Sequence, residues 1–265
     1  MRVGRFLLLP IFIAFLLLPI AAQQTSTTAQ VPQRDLQATA FLQAAVRAMG
    51  GNAPQGFIAL GTITLVEGSL TTSGTIRILA RDTGQSLEQV QISAKSWTLV
   101  YSGGEASRTE EKTTKLPLER AATSQSVYFP LLFLSGLLSN PDFAIQYVGP
   151  ETLDGATVRH IRATNTFNSS PSFQFLSAFT TREIWLDAST NLPAMVSFVR
   201  RDGGGATPKI IVTVAYSKFE TTNGLTYPQQ IQESINGTIW AAITLQSVAL
   251  NTGLTDSDFP VIGAN

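Results

Sequence analysis

Between Gly56 and Leu250 the chain returns repeatedly to one pattern, in which apolar and polar residues alternate with a period of two and turn residues separate the runs. Successive side chains of a strand point to opposite faces, so this period predicts strands with one apolar face. The runs are 56–66, 74–80, 87–92 and 97–101 in a first block. A second block comprises 143–148, 157–163, 181–186, 194–200, 210–219, 225–235 and 238–250. Between them lie Glu67-Gly68, Asp82-Thr83-Gly84, the stretch 93–96, "LDAST" around Asp187, "DGGG" at 202–205, "TNG" at 222–224 and Asn236-Gly237. Such short Gly/Asn/Asp connections close hairpins, so the expectation is an antiparallel sheet of about eleven or twelve strands.

Alternation also assigns the faces. Ile76, Ile78 and Ala80 oppose Arg77 and Arg81; Val90 and Ile92 oppose Gln89 and Gln91; Trp97, Leu99 and Tyr101 oppose Thr98. Leu225, Tyr227, Ile231 and Ile235 oppose Gln230, Gln232 and Ser234. A sheet this long with one apolar face must curl or be covered. Two helical patterns are available to cover it. In the first, Asp35 is placed to cap a helix whose Ala38, Leu42, Ala45, Val46 and Met49 share a face, and Gly50-Gly51 supplies the left-handed stop.

The second runs from Leu118 to Leu138, between Pro117 and Asn140-Pro141. Its stretch "SVYFPLLFLSGLLSNP", residues 126–141, carries no charge. Val127, Leu131, Leu134 and Leu138 form one apolar stripe, and Phe129, Leu132, Phe133 and Leu137 widen it nearly round the helix. Pro130 and Gly136 predict a kink. A membrane span is excluded by length, since about 12 apolar residues reach only ~18 Å against roughly 30 Å of hydrocarbon. Two placements remain: ordinary core, or a lid closing an apolar trough in the curled sheet.

Outside this region, Arg2 and Arg5 precede a charge-free apolar run and Ala21-Ala22, which predicts a cleaved signal peptide at 1–22. The polar stretch 23–34 reads as a flexible leader, and 35–265 as a single domain. With no cysteine, disulfides, thiol catalysis and an acylated lipobox Cys are excluded, and the expected location is periplasmic or secreted. Net charge is zero, with no basic cluster, which argues against nucleic acid. Charged residues are 14% of the chain, against about 25% in an average soluble domain, so much surface is expected to face something other than water.

Catalytic patterns are weak. His160 is the only histidine and reads as surface or rim. "FLSGLL" lacks the glycines of a nucleophile elbow, and "GGG" at 203–205 joins two strands rather than a strand to a helix. Glu110-Glu111 and Asp256/Asp258 read as solvated acids, Asp187 as a turn residue, and the sequons at Asn168 and Asn236 as chance matches if the host is bacterial. Neither an enzyme nor a cofactor is expected.

A helix ending "AMGG", a run of strands, an inserted apolar helix, and then "TREIWLDASTNLPAMVSFVRR", "TTNGLTYPQQI" and "LNTGLTDSDF" together resemble the lipoprotein-carrier superfamily over about residues 35–260. That superfamily includes LolA- and LolB-type carriers, RseB-type envelope sensors and LppX-type lipid carriers. The resemblance implies an α+β fold: an unclosed antiparallel half-barrel, its concave apolar face under a helical lid, holding acyl chains. The residues expected to meet them are Val127, Phe129, Leu131, Leu132, Phe133, Leu134, Leu137 and Leu138 of the lid, with Ile76, Ile78, Val90, Ile92, Trp97, Leu99 and Tyr101 of the sheet. The implied partners are a lipid or acylated protein and a membrane protein. The alternative is an envelope sensor or assembly factor binding a protein partner. The "RPxxFRW"-like strand that supplies a lid-latching arginine in LolA-type carriers has no counterpart here, and Arg77 or Arg81 is the stand-in the sequence offers.

Overall fold

The computed structural model describes residues 32–93, 95–123, 127–201 and 208–262. The expected signal peptide, leader residues 23–31 and the 202–205 turn lie outside the described residues. Helix α1 (Leu36–Ala48) starts where expected: the Asp35 carboxylate accepts the amides of Gln37 and Ala38 at 2.7 and 3.1 Å. Its five-residue apolar face, Ala38 through Met49, is buried.

The strands are β1 (Gly56–Glu67), β2 (Leu70–Arg81), β3 (Ser86–Ile92), β4 (Lys95–Ser102), β5 (Glu105–Thr109) and β6 (Thr113–Lys115), then β7 (Phe143–Leu153), β8 (Ala156–Asn165), β9 (Arg182–Asp187), β10 (Pro193–Arg200), β11 (Ile210–Thr222), β12 (Leu225–Ile235) and β13 (Thr238–Leu250). They form one 13-stranded sheet, entirely antiparallel and not closed, in the order β6-β5-β4-β3-β2-β1-β13-β12-β11-β10-β9-β8-β7. This is the expected α+β architecture with two strands more than the sequence blocks contained. The charged stretch "RTEEKTTK" is the β5–β6 hairpin at the sheet edge, with Glu110-Glu111 in its connection, and its polar composition hides the two strands from an apolar period.

The order has a consequence. β1 lies in the middle beside β13; the chain works outward to the edge strand β6, then reappears at the opposite edge as β7 and works back. The chain between Lys115 and Phe143 must therefore cross from edge to edge, and among its described residues Phe129, Leu131, Leu134 and Leu137 pack on the apolar face. Curling that face requires close backbone approach. Gly61 lies at a register shift against β13, where a Cβ would stand 2.3 Å from the Thr244 carbonyl oxygen; at Gly74 it would stand 2.0 Å from that of Gln91.

The crossing is two helices rather than one kinked helix. α2 (Leu118–Thr123) and α3 (Pro130–Ser139) are separate, and Pro130 occupies the first turn of α3, where a missing N–H costs nothing. Phe129, immediately before it, is held out of helical geometry at φ −119°, ψ 84°. Between β8 and β9 the chain forms a 3₁₀ stretch, Pro171–Phe179. Among the described residues no helix is long and apolar enough to cross a membrane.

Candidate binding site beneath the crossover helix

Helix α3 is apolar on nearly every side, and its Pro130, Leu131, Leu132, Phe133, Leu134 and Leu137 are all buried. They join one core with α1 and with the concave residues Phe57, Ile76, Ile78, Val90, Ile92, Val214 and Ile231. Phe129 stacks on Phe57 with ring centroids 3.9 Å apart, and Tyr227 lies beyond at 6.4 Å. Polar side chains hold the two ends. On the N-terminal side the Tyr216 hydroxyl donates to the Val127 carbonyl at 2.6 Å, and the Tyr128 hydroxyl donates to Glu233 Oε2 at 2.6 Å. On the C-terminal side Arg34 Nη2 donates to the carbonyls of Leu137 and Leu138, both at 3.0 Å. Those carbonyls have no partner within the helix, and the guanidinium suits the negative end of its dipole. Arg34 is thus docked: the Ile145 amide donates to the Gln33 carbonyl and the Asp35 amide to that of Ile145, so the last residues of the expected leader belong to the domain.

Beside the N-terminal end of α3 lies a cavity of about 520 Å³. Ile63, Ile76, Val90, Trp97, Phe198 and Val212 form apolar parts of its wall, and Glu88, Arg108, Arg120, Tyr128, Arg200 and Glu233 also line it. A smaller cavity, about 260 Å³, touches Leu132, Phe133 and Gly136 at the other flank. Helix α3 fills the space between with its own side chains.

The polar wall of the larger cavity is perturbed by its surroundings. Burial pushes the Glu88 carboxyl up to about 8; the neighbouring Glu233 adds to the rise and Arg120 opposes it. Glu233 is also raised, by burial first, against the lowering effects of the Tyr128 hydrogen bond, Arg200 and Arg120. Tyr128 is held well above the ordinary phenol range, chiefly by burial and then by the two carboxylates.

The sequence-predicted residues divide among these environments. Ile76, Val90, Trp97, Leu99, Tyr101 and Val127 line the larger cavity, and Leu132 and Phe133 the smaller one. Ile78, Ile92, Phe129, Leu131, Leu134 and Leu137 are packed core, with Leu138 half-buried against them. Neither proposed stand-in arginine reaches the interior: Arg77 is exposed, and Arg81 pairs with Asp256 at 2.6 Å. A fully buried arginine is found instead at Arg182, 1% exposed and stacked 4.7 Å over the Phe198 ring, its pKa lowered to about 10 by burial. It was in view within "TREIW", because alternation places it with the buried Ile184 and Leu186. Glu88, Glu233 and Arg200 were missed for a similar reason. Each carries charge on an otherwise apolar face, and that break in the pattern was the signal.

His160 is not at the rim. It is buried on the opposite face, with Nδ1 2.6 Å from Glu151, Nε2 2.7 Å from Glu183, and its ring stacked on Trp185 at 4.4 Å. Both nitrogens are engaged by carboxylates, which leaves neither for activating a nucleophile. Asp187 is a turn residue as expected: its Oδ1 accepts the amides of Ser189 and Thr190, and these bonds with the two hydroxyls hold its pKa at about 2. Among the described residues no cluster of three or more acidic or imidazole side chains is arranged to hold a metal.

The unclosed sheet, the edge-to-edge crossing and the apolar helix seated on the concave face can be set against known structures. A LolA superfamily protein from Nitrosomonas europaea superposes with a TM-score of 0.56 at 13% identity, over 84% of this chain and 97% of that one. The fold is LolA-like. A domain from Vibrio parahaemolyticus described as an outer membrane lipoprotein-sorting protein covers 84% of this chain and 96% of its own, at TM-score 0.53 and 12% identity. A DUF1329 family protein from Desulfovibrio piger matches over the same share of this chain and 97% of its own, at TM-score 0.52 and 12% identity. No family profile matches the sequence, and no curated protein matches it. At these identities the fold is what is shared.

Proposed function

We propose that this chain is a non-catalytic acyl-chain-binding protein of the bacterial envelope, exported by the segment at 1–22 and taking a lipid or an acylated protein beneath its crossover helix. The observation that carries the reading is the seating of α3: apolar on nearly all sides, closed over a concave apolar face, and bordered by a cavity of about 520 Å³. That volume lies within the roughly 300–1,000 Å³ usual for small-molecule sites. Each methylene moved from water into such a site contributes about 0.8 kcal/mol. An acyl chain extending from the cavity replaces contacts that α3 side chains make with the sheet, so displacement exchanges one set of apolar contacts for another. Entry and release then depend on the few polar tethers at the helix ends rather than on unfolding the core.

An environment-sensitive apolar dye tests this directly. The native protein is expected to enhance its fluorescence saturably, with displacement by long-chain but not short-chain amphiphiles. No uptake by folded protein would sink the reading and favour a filled interior with the working surface outside.

A further inference from the structure

The polar wall of the larger cavity asks for more than an acyl chain. Glu88 projects from β3 on the same face as the buried Val90, and Glu233 from β12 on the same face as the buried Ile231. Arg120 of α2 lies close enough to act on both carboxyls, and Arg200 at the end of β10 acts on Glu233. Tyr101 of β4 and Tyr128 also face this group, and Arg108 of β5 stands at the edge, bonded to Glu110 and 5.5 Å over the Trp97 ring. These charged and hydroxyl groups therefore line a cavity whose remaining lining is largely apolar, and a guanidinium with five N–H donors can bond more than one acceptor at once.

We propose that this wall selects the ligand's head: the cavity takes an acyl chain ending in an anionic oxygen group, a carboxylate or a phosphate, received by Arg120, Arg200 and Glu88. This rests on the acyl-chain reading above and adds the head-group chemistry. A guanidinium carries five N–H donors and no acceptor, so two of them favour a head that accepts hydrogen bonds. Glu88, with its pKa raised to about 8, carries its proton at neutral pH and offers an O–H to the same acceptor. The Tyr128 hydroxyl is already given to Glu233, so Tyr128 and Glu233 act as a fixed pair behind the site. A quaternary ammonium head would meet guanidinium, and an alcohol would gain little from it.

The test is dye displacement with four amphiphiles of equal chain length, dodecanoate, dodecyl phosphate, dodecanol and dodecyltrimethylammonium, with acetate as the chainless anion. At pH 7 the two anions are expected to bind at least tenfold more tightly than dodecanol, and the ammonium more weakly than dodecanol. The anion preference is expected to shrink as pH rises past 8 and Glu88 ionises, and to persist to higher pH in Glu88→Gln. Equal affinity for dodecanoate and dodecanol would overturn the head-group assignment while leaving the acyl-chain reading intact. Failure of every amphiphile would remove the reading itself. Competition by acetate at concentrations comparable to dodecanoate would mean a small-anion site and also overturn the assignment. Loss of the preference with pH to the same extent in Glu88→Gln would contradict the role given to Glu88.

Discussion

A carboxyl group whose pKa is about 8 in the folded protein and near 4.5 when exposed binds its proton more tightly in the native state. Its contribution to stability is therefore complete below about pH 4.5 and is lost as pH rises toward 8. Glu88→Gln removes that dependence. Chemical denaturation at pH 5 and pH 8 is expected to show wild type losing on the order of 3 kcal/mol more than the variant between the two; parallel losses would mean Glu88 is solvated in the folded protein. This interior chemistry was partly legible. Period-two alternation places Glu88 with Val90 and Ile92, and Glu233 with Ile231 and Ile235, so the acids announce themselves as charges on an apolar face. What alternation does not contain is that strands far apart in the chain bring the two to the lining of one cavity, because that depends on how far the sheet curls. Arg77 and Arg81 failed as interior candidates by the same rule, since they alternate with the buried Ile76, Ile78 and Ala80.

At the scale of elements, α3 is a short apolar helix held by its buried side chains and by polar ties at both ends. Arg34 to the Leu137 and Leu138 carbonyls is the tie most easily removed without touching the core. A charge-assisted pair of this kind is worth about 1.5–3 kcal/mol, which corresponds to roughly a tenfold to hundredfold change in a local opening equilibrium. In Arg34→Met, backbone hydrogen exchange over residues 134–139 is expected to speed up by that factor while the β1–β2 and β11–β12 amides are unchanged. Uniform acceleration everywhere would assign Arg34 to global stability rather than to the helix. The apolar crossing was visible in the sequence as a charge-free run; its division at Pro130 was not. A proline interrupts a helix or begins one, and the choice here was made by the extended geometry of Phe129 and its stacking on Phe57, a tertiary contact no local window contains. The β5–β6 hairpin escaped because edge strands that stay polar have no apolar period to betray them.

At the scale of the whole molecule, topology gives the apolar helix its place. A chain that begins in mid-sheet, runs out to one edge and returns from the other must cross the sheet once, and the crossing here carries the charge-free run 126–141. The order of helix, strands, apolar insert and strands was sufficient to indicate a carrier-type half-barrel, because each run and turn is local. The measurement that bears most directly on acyl-chain binding is mass spectrometry of the organic extract of the mature protein, purified without detergent from a bacterial periplasm. A stoichiometric lipid or fatty acid with an anionic head is expected. A lipid-free extract from protein that also takes up no apolar dye would contradict the account, leaving α3 as ordinary core.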